Sequence, residues 1–261
     1  MNLDLLHKTA LVGGGSKGIG LASARELALL GANVILLARS EAQLAAAVQT
    51  LDTSRKQVHS FLSVDYSDTA ALEQKIKARL AHQNVHILVN NTGGPPAGAA
   101  HTATTESYLD AFRNHLICNQ LLVQAVLEGM KKDGYGRIIN VISTSVKQPL
   151  DNLGVSNAIR GAVASWAKTL ANELGQFGIT VNNVLPGATL TERLHQIIAK
   201  DATLHNQNEA EVARQMQSAI PLRRFASPEE IGAAVAFLAS PAAAYINGIN
   251  LPVDGGRTKS L

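Results

Sequence analysis

Residues 12–20 read VGGGSKGIG, and this stretch decides the fold. A short apolar run, residues 10–12, leads into it, and apolar residues at helical spacing follow it from Leu21 to Ala28. A glycine-rich turn between a first strand and a helix is the pattern of a dinucleotide cradle. The alternative is a flexible glycine loop, but the strand before it and the helix after it favour the cradle.

Three glycines of this stretch have different predicted roles. Gly14 permits the tight turn, Gly18 lets the backbone approach a pyrophosphate, and Gly20 lets helix and strand pack closely. The start of the helix then offers unpaired N–H groups and a positive dipole end to the phosphates.

Strand and helix patterns alternate along the rest of the chain, which predicts a parallel sheet with right-handed crossovers. No linker and no internal repeat interrupts them. We therefore expect one doubly wound α/β (Rossmann) domain over residues 1–261, with a seven-stranded parallel sheet and helices on both faces. The predicted strands are 10–12, 33–38, 58–64, 85–89, 137–142, 180–185 and 249–253; the predicted helices are 21–30, 41–51, 69–80, 108–130, 156–174 and 228–238.

The polar segment after Pro186 predicts irregular structure as far as about Ser218. Because loops at the carboxyl ends of parallel strands form the site, we expect residues 187–220 to be a substrate lid.

Composition and charge exclude several classes of protein. The 261 residues are 46% hydrophobic and 16% charged, with a net charge of +3, which is typical of a globular chain. No block of Lys and Arg exceeds a pair, so nucleic-acid binding is not expected. A single cysteine, Cys118, rules out an internal disulfide and fits a reducing, cytoplasmic location. We expect no signal peptide, no membrane span and no metal site.

Short motifs follow the predicted strands, and two positions in them are unusual. The motifs are Gly14 with Gly18-Ile19-Gly20, Asp65, Asn90-Asn91 with Gly93, Ser143, Pro186-Gly187 with Thr191, and Asp254-Gly255-Gly256. On these motifs the chain resembles the short-chain dehydrogenase/reductase family over essentially its whole length, and is similar to the 3-oxoacyl-carrier-protein reductases. Gly13 stands where that family usually has Thr, and Thr92 where it usually has Ala.

The end of the second strand indicates the cofactor. An acid there is typical of NAD-binding sites, but the chain reads Leu37-Ala38-Arg39-Ser40, with no acid before Glu41. Arg39 and Lys17 flank the expected place of an adenosine 2′-phosphate, and we therefore predict NADP(H). The alternative is that both are solvated surface cations.

The resemblance implies roles for several further residues. Asp65 would bond the adenine amino group, Asn91 would hold its loop over the cofactor, and Thr191 would meet the nicotinamide carboxamide. A helix cap is the other interpretation of Asp65, although Asp68 fits that role better. The whole cofactor set is Gly14, Ser16, Lys17, Gly18, Ile19, Gly20, Arg39, Asp65, Asn91, Gly93, Pro186, Gly187, Thr189 and Thr191.

The catalytic positions depart from the family. Its members carry an Asn, a Ser and a Tyr-x-x-x-Lys pair, and the Tyr gives a proton to the substrate oxygen. An ungapped alignment places His115, Ser143, Ser156 and Arg160 at these four positions, so Ser143 alone is unaltered. Ser156 is a weaker acid than a phenol, and Arg160 keeps a positive charge but exchanges no proton at working pH.

His115 adds chemistry, because imidazole titrates near neutral pH. It could pass a proton through water to Ser156 or Arg160, or it could fill space and bond a backbone carbonyl. The tyrosines of the chain lie in other segments and are interpreted as packing residues: Tyr66, Tyr108, Tyr135 and Tyr245.

Two functions are compatible with these residues. The first is an NADP(H)-dependent oxidoreductase with an altered proton route, acting on a small molecule with a carbonyl, a conjugated enone or an acyl thioester. The second is an NADP(H)-binding pseudoenzyme with a sensing or assembly role. In both cases the resemblance implies a homo-oligomer, specifically a tetramer, and small residues on the predicted helix 156–174 permit close approach to a second copy: Gly161, Ala162, Ala164 and Ser165.

Overall fold

A computed structural model describes residues 1–260 and arranges them around one parallel sheet. The strand order is β3-β2-β1-β4-β5-β6-β7, and neighbouring strands run parallel throughout. The predicted doubly wound fold with a seven-stranded parallel sheet is therefore confirmed. The strands are β1 Thr9–Gly13, β2 Asn33–Ala38, β3 Ser60–Ser63, β4 Ile87–Asn90, β5 Gly136–Val141, β6 Ile179–Pro186 and β7 Asn250–Val253.

Helices cover both faces of the sheet, and each face has its own apolar core. On one face, Leu27 of α1 and Ile231 and Val235 of α9 pack over Val12. On the other face, residues of α3, α5 and α6 pack over Leu11 and Leu88. The helices are α1 Gly18–Leu29, α2 Glu41–Val48, α3 Thr69–Leu80, α4 Thr105–Phe112, α5 Cys118–Asp133, α6 Gly154–Leu174, α7 Glu192–His205, α8 Glu209–Ser218 and α9 Pro228–Ala239.

The strand order reverses between β1 and β4. The chain winds outward from β1 to β3 and then returns to place β4 on the other side of β1. The connections that leave these two central strands therefore diverge, and they open a crevice at the carboxyl ends of the strands.

The helix predicted over residues 108–130 is interrupted. It is built from α4 and α5, and a π-helical turn over Arg113–Ile117 joins them. A π turn spaces its hydrogen bonds by five residues and so changes which side chains face inward. This turn contains His115, one of the predicted catalytic residues.

The expectation of an irregular segment after Pro186 is wrong. Two helices, α7 and α8, form there, because the side chains of Thr191 and Asn208 cap their first turns. The apolar residues of these helices recur at helical spacing and bury one another in a small separate core: Leu194, Ile198, Ala202, Val212, Ile220 and Phe225.

Cys118 is fully buried at the start of α5. Its Sγ donates to the carbonyl oxygen of Tyr66 at 3.2 Å, and burial raises the pKa of the thiol to about 11. The thiol is thus a core group, as predicted. No helix within residues 1–260 is long and apolar enough to cross a membrane.

Candidate active site

A cleft of about 1390 Å³ opens at the carboxyl ends of the strands. It exceeds the volume of about 300–1,000 Å³ that is usual for one small ligand, so it has room for a dinucleotide and a substrate. The predicted residues that line it are Gly14, Ser16, Lys17, Gly18, Ile19, Arg39, Asp65, Asn91, Gly93, Ser143, Ser156, Arg160, Pro186, Gly187, Thr189 and Thr191. Two predicted residues, Gly20 and His115, are not among the lining residues.

The glycine turn has the geometry of a phosphate cradle. Gly14 has a φ of +58°, and a Cβ on Gly20 would lie 2.2 Å from the carbonyl oxygen of Gly14. Gly20 thus serves packing, not the cleft surface. The side chain of Lys17, the N-cap residue of α1, makes no capping hydrogen bond. The first N–H groups of the helix therefore remain free for an anion.

Cationic side chains stand at the end of the cleft next to β2. Arg39 is exposed there, close enough to Asp65 for its charge to contribute to the lowered pKa of that carboxyl. The larger cause is Ser67, whose backbone N–H and hydroxyl each donate to Asp65 at 2.9 Å. Asp68 caps α3 by accepting from the backbone N–H of Ala71 at 2.9 Å, so Asp65 is free of that role, as the sequence suggested.

Lys17 pairs with Glu192, the first residue of α7, across the mouth of the cleft. The two side chains are 60% and 59% exposed, so the pair is worth little in water. An anion bound in the glycine turn can therefore draw Lys17 away at small cost.

Ser143, Ser156 and Arg160 all line the cleft. Ser143 follows β5, and its hydroxyl accepts from the backbone N–H of Ser145 at 3.1 Å. Ser156 and Arg160 are four residues apart in α6 and so lie on the same side of that helix.

Arg160 carries a buried positive charge in this wall of the cleft. Its Nη1 donates to the carbonyl oxygen of Val141 at 3.2 Å, whereas its Nε finds no partner within residues 1–260. Burial lowers the pKa of Arg160 to about 10, which leaves the guanidinium charged at neutral pH.

His115 lies behind the cleft, not in it. The residue is 2% exposed, and its Nδ1 is 2.5 Å from the hydroxyl oxygen of Thr92. Burial, with a smaller effect from the charge of Arg160, lowers the pKa of His115 to about 3. The ring is therefore neutral at working pH. It fills buried space, as one interpretation held, but it bonds a side-chain hydroxyl and not a backbone carbonyl.

Several lining residues were not predicted as parts of the cleft, and three of them are polar residues near His115 or the glycine turn: Tyr66, Thr92 and Asn114. Asn114 precedes His115, and its buried Oδ1 has no hydrogen-bond partner in the described part of the chain. The presence of Asn114 next to the aligned position His115 was a signal that the sequence offered. An ungapped alignment did not use it, because such an alignment cannot detect a π turn. Thr92 was noted as unusual, and Tyr66 was interpreted as a packing residue.

The fold and the cleft define a dinucleotide-binding protein of the doubly wound type. A family model described as enoyl-(acyl carrier protein) reductase matches residues 14–258. The chain therefore belongs to that family of short-chain dehydrogenases/reductases, as its motifs indicated.

Individual relatives cover nearly the whole chain. The 3-oxoacyl-(acyl-carrier-protein) reductase FabG of Vibrio cholerae is 38% identical over 259 residues, which are 98% of each chain. L-xylulose reductase of Caenorhabditis elegans is 33% identical over 259 residues, covering 98% of this chain and 97% of the relative. L-sorbose reductase from Gluconobacter frateurii, solved with NADPH and L-sorbose, is 28% identical with a TM-score of 0.93 and full coverage of both chains.

The buried, neutral state of His115 gives stability a specific pH dependence. An unfolded histidine takes up its proton near pH 6.5, whereas His115 in the folded protein stays neutral down to about pH 3. The unfolded state therefore binds more protons in this window, and stability falls as the pH falls through it. The unfolding free energy of the parent should fall when the pH is lowered from 7 to 5. In His115→Gln this fall should be smaller by about 2 kcal/mol.

Urea unfolding followed by circular dichroism measures this difference at the two pH values. His101→Gln, at an exposed position, is the matched control and should behave as the parent does. An equal loss of stability in the parent and in His115→Gln would show that the ring is already protonated or exposed.

Proposed function

We propose that this protein is an NADP(H)-dependent reductase of a ketone, or of a carbon–carbon double bond conjugated to a carbonyl, as in an enone or an acyl thioester. The observation that carries the proposal is that Ser143, Ser156 and Arg160 line the same cleft as the glycine turn. The family description and the FabG relative both name acyl-carrier substrates, and the L-sorbose reductase structure holds a keto sugar.

The residues of the cleft fit NADP(H). The open start of α1 suits the pyrophosphate, and Arg39 with Lys17 suits a 2′-phosphate. Asn91 ties its loop to the glycine turn, since its Nδ2 donates to the carbonyl oxygen of Gly13 at 3.1 Å. Thr189 and Thr191 line the cleft, and the family resemblance assigns Thr191 to the nicotinamide carboxamide. When bound, the cofactor supplies a hydride.

The chain's own residues would stabilise the negative charge that develops on the substrate oxygen. Ser143 and Ser156 offer hydroxyl donors, and Arg160 offers a fixed positive charge nearby. A strong acid is not needed at position 156, because water can protonate an enolate after the reduction of a conjugated double bond. A simple ketone would instead yield a more basic alkoxide, and it would gain more from a positioned acid.

Residues 187–220, with α7 and α8, form the lid in this proposal. Arg193 of α7 donates from Nη2 to the carbonyl oxygen of Pro95 at 3.0 Å, so the lid already contacts the loop after β4. A lid of this kind would exclude water from the reacting atoms.

A pseudoenzyme is the second candidate. It is favoured by the neutral, buried state of His115. It is also favoured by Arg160, because Nη1 of its guanidinium already donates to a backbone carbonyl oxygen. In that case the protein would bind NADP(H) and sense or assemble without turnover. NADPH oxidation over a panel of ketones, quinones, enones and acyl thioesters separates the two candidates.

Arg39 should set the choice between NADPH and NADH. A charge-assisted, forked contact to the 2′-phosphate is worth about 1.5–3 kcal/mol, so the parent should prefer NADPH roughly ten- to a hundredfold. Arg39→Asp should abolish this preference, and Arg214→Asp, at an exposed position of α8 outside the cleft lining, should keep it. Fluorescence titration with both cofactors measures the ratio, and equal affinities in the parent would refute the assignment.

The altered tetrad can be tested by restoring it. His115→Asn, Ser156→Tyr and Arg160→Lys together should install ketone reduction, because a positioned general acid contributes about 10²–10⁴-fold. The same triple variant with Phe in place of Tyr lacks the phenolic proton and is the control. A folded Tyr variant that binds NADPH but reduces no ketone would favour the pseudoenzyme. An enone turned over by the parent itself would establish the proposed activity.

We expect a homotetramer in solution. Large apolar side chains are exposed on α4 and the π turn, namely Leu109 (55%), Phe112 (40%) and Ile117 (37%), and space is open beside Gly161 on α6. Such exposed groups are typical of an interface. Light scattering at micromolar concentration should show that the parent is a tetramer. The double variant Leu109→Glu/Phe112→Glu should form a smaller species. Leu204→Glu, on the exposed side of α7, is the control; a monomeric parent would contradict the prediction.

A further inference from the structure

Four asparagines form a ladder across the sheet, one in each of four neighbouring strands. Asn90 of β4 donates to Asn140 of β5 at 2.8 Å, Asn140 donates to Asn183 of β6 at 2.9 Å, and Asn183 donates to Asn250 of β7 at 2.8 Å. In each bond, Nδ2 of one side chain meets Oδ1 of the next. The first three residues are at most 3% exposed, so these amides exchange no bonds with bulk water.

The ladder is incomplete at its β4 end. The Oδ1 of Asn90 is buried, and no described residue donates to it. The next strand is β1, whose Val12 pairs with Val89, so Gly13 lies beside Asn90. Gly13 has no side chain to offer. A buried acceptor without a donor costs stability, so this position calls for a donor from elsewhere.

The hydroxyl of Tyr66 stands over Gly13, the residue beside Asn90. A Cβ on Gly13 would lie 2.8 Å from the Tyr66 hydroxyl oxygen, so the phenol occupies the space that a larger residue at position 13 would fill. Tyr66 packs against the core that contains Leu11 and Leu88, the residues two before Gly13 and Asn90. Because side chains alternate along a strand, Asn90 faces the same side of the sheet as Tyr66.

Tyr66 also lacks a partner. Its hydroxyl oxygen is buried and makes no hydrogen bond with the described residues. Burial raises the pKa of the phenol above its ordinary value, so the hydroxyl keeps its proton and can act as a donor. A buried donor over Gly13 and a buried acceptor on the neighbouring Asn90 thus lie on the same side of the sheet, and both are unpaired.

We propose that the Tyr66 hydroxyl donates to Oδ1 of Asn90 across one water molecule, and so completes the ladder as a positioning residue for the cleft. The inference deepens the proposed function, because the ladder holds the strand ends from which the cleft is built. Asn91 directly follows Asn90, while Ser143 and Pro186 follow Asn140 and Asn183 by three residues. Removing the hydroxyl should loosen the ladder at Asn90 first.

Tyr66→Phe tests the bond with readouts that need no turnover. Loss of one neutral hydrogen bond should weaken NADPH binding roughly two- to tenfold. In protein carrying isotopically labelled asparagine, the side-chain amide resonances of Asn90 and Asn140 should shift in the nuclear magnetic resonance spectrum. Tyr245→Phe, at a fully exposed tyrosine, should change neither readout. Unchanged amide resonances in Tyr66→Phe would overturn the proposal.

Exchanging the source of the hydroxyl provides an independent test. Gly13→Thr alone should be disruptive, since its Cβ would lie 2.8 Å from the phenol oxygen and 3.0 Å from the carbonyl oxygen of Asn91, and only the first contact involves Tyr66. Tyr66→Val vacates that space but provides no donor, and the double variant Gly13→Thr/Tyr66→Val should recover NADPH affinity and the amide resonances. A double variant no better than Tyr66→Val would refute the proposal. Should the protein prove inactive on every substrate, the amide resonances would still decide the question.

Discussion

The close approach of β1 and the loop after β4 is the contact on which the cleft depends. The glycine turn can lie against this loop because Gly14 and Gly20 leave no side chain between helix, turn and strand. Asn91 then bonds the carbonyl oxygen of Gly13 and joins the two connections that diverge from the switch point. The glycine turn and the loop after β4 therefore form one connected floor of the cleft.

The fold was largely accessible from the sequence, because buried parallel strands read as short apolar runs between helical patterns. The run 33–38 became β2 with the same bounds. The predicted strand 58–64 shortened to Ser60–Ser63, since Val58 lies outside the core and is 73% exposed. Helices α7 and α8 were missed because their polar surface masked apolar residues that pack mainly with one another.

Only part of the site could be predicted from the sequence. Residues such as Arg39 and Ser143 follow strands whose ends must meet, and topology alone brings them to the cleft. The position of His115 depends on a π turn, and the partner of His115, Thr92, lies more than twenty residues away in sequence. Tyr66 was assigned to packing, because the sequence around it does not reveal that its hydroxyl lies against Gly13. Such pairings arise from tertiary packing and have no local signal.

Cys118 has a practical consequence for experiments on this protein. Its thiol is the single one in the chain, is fully covered by the core, and has a pKa of about 11, so almost no thiolate exists at neutral pH. Alkylating reagents and mild oxidants act on accessible thiolates. A second cysteine introduced on the surface would therefore react alone, and a fluorophore or spin label could be attached to α7 without first removing the native residue.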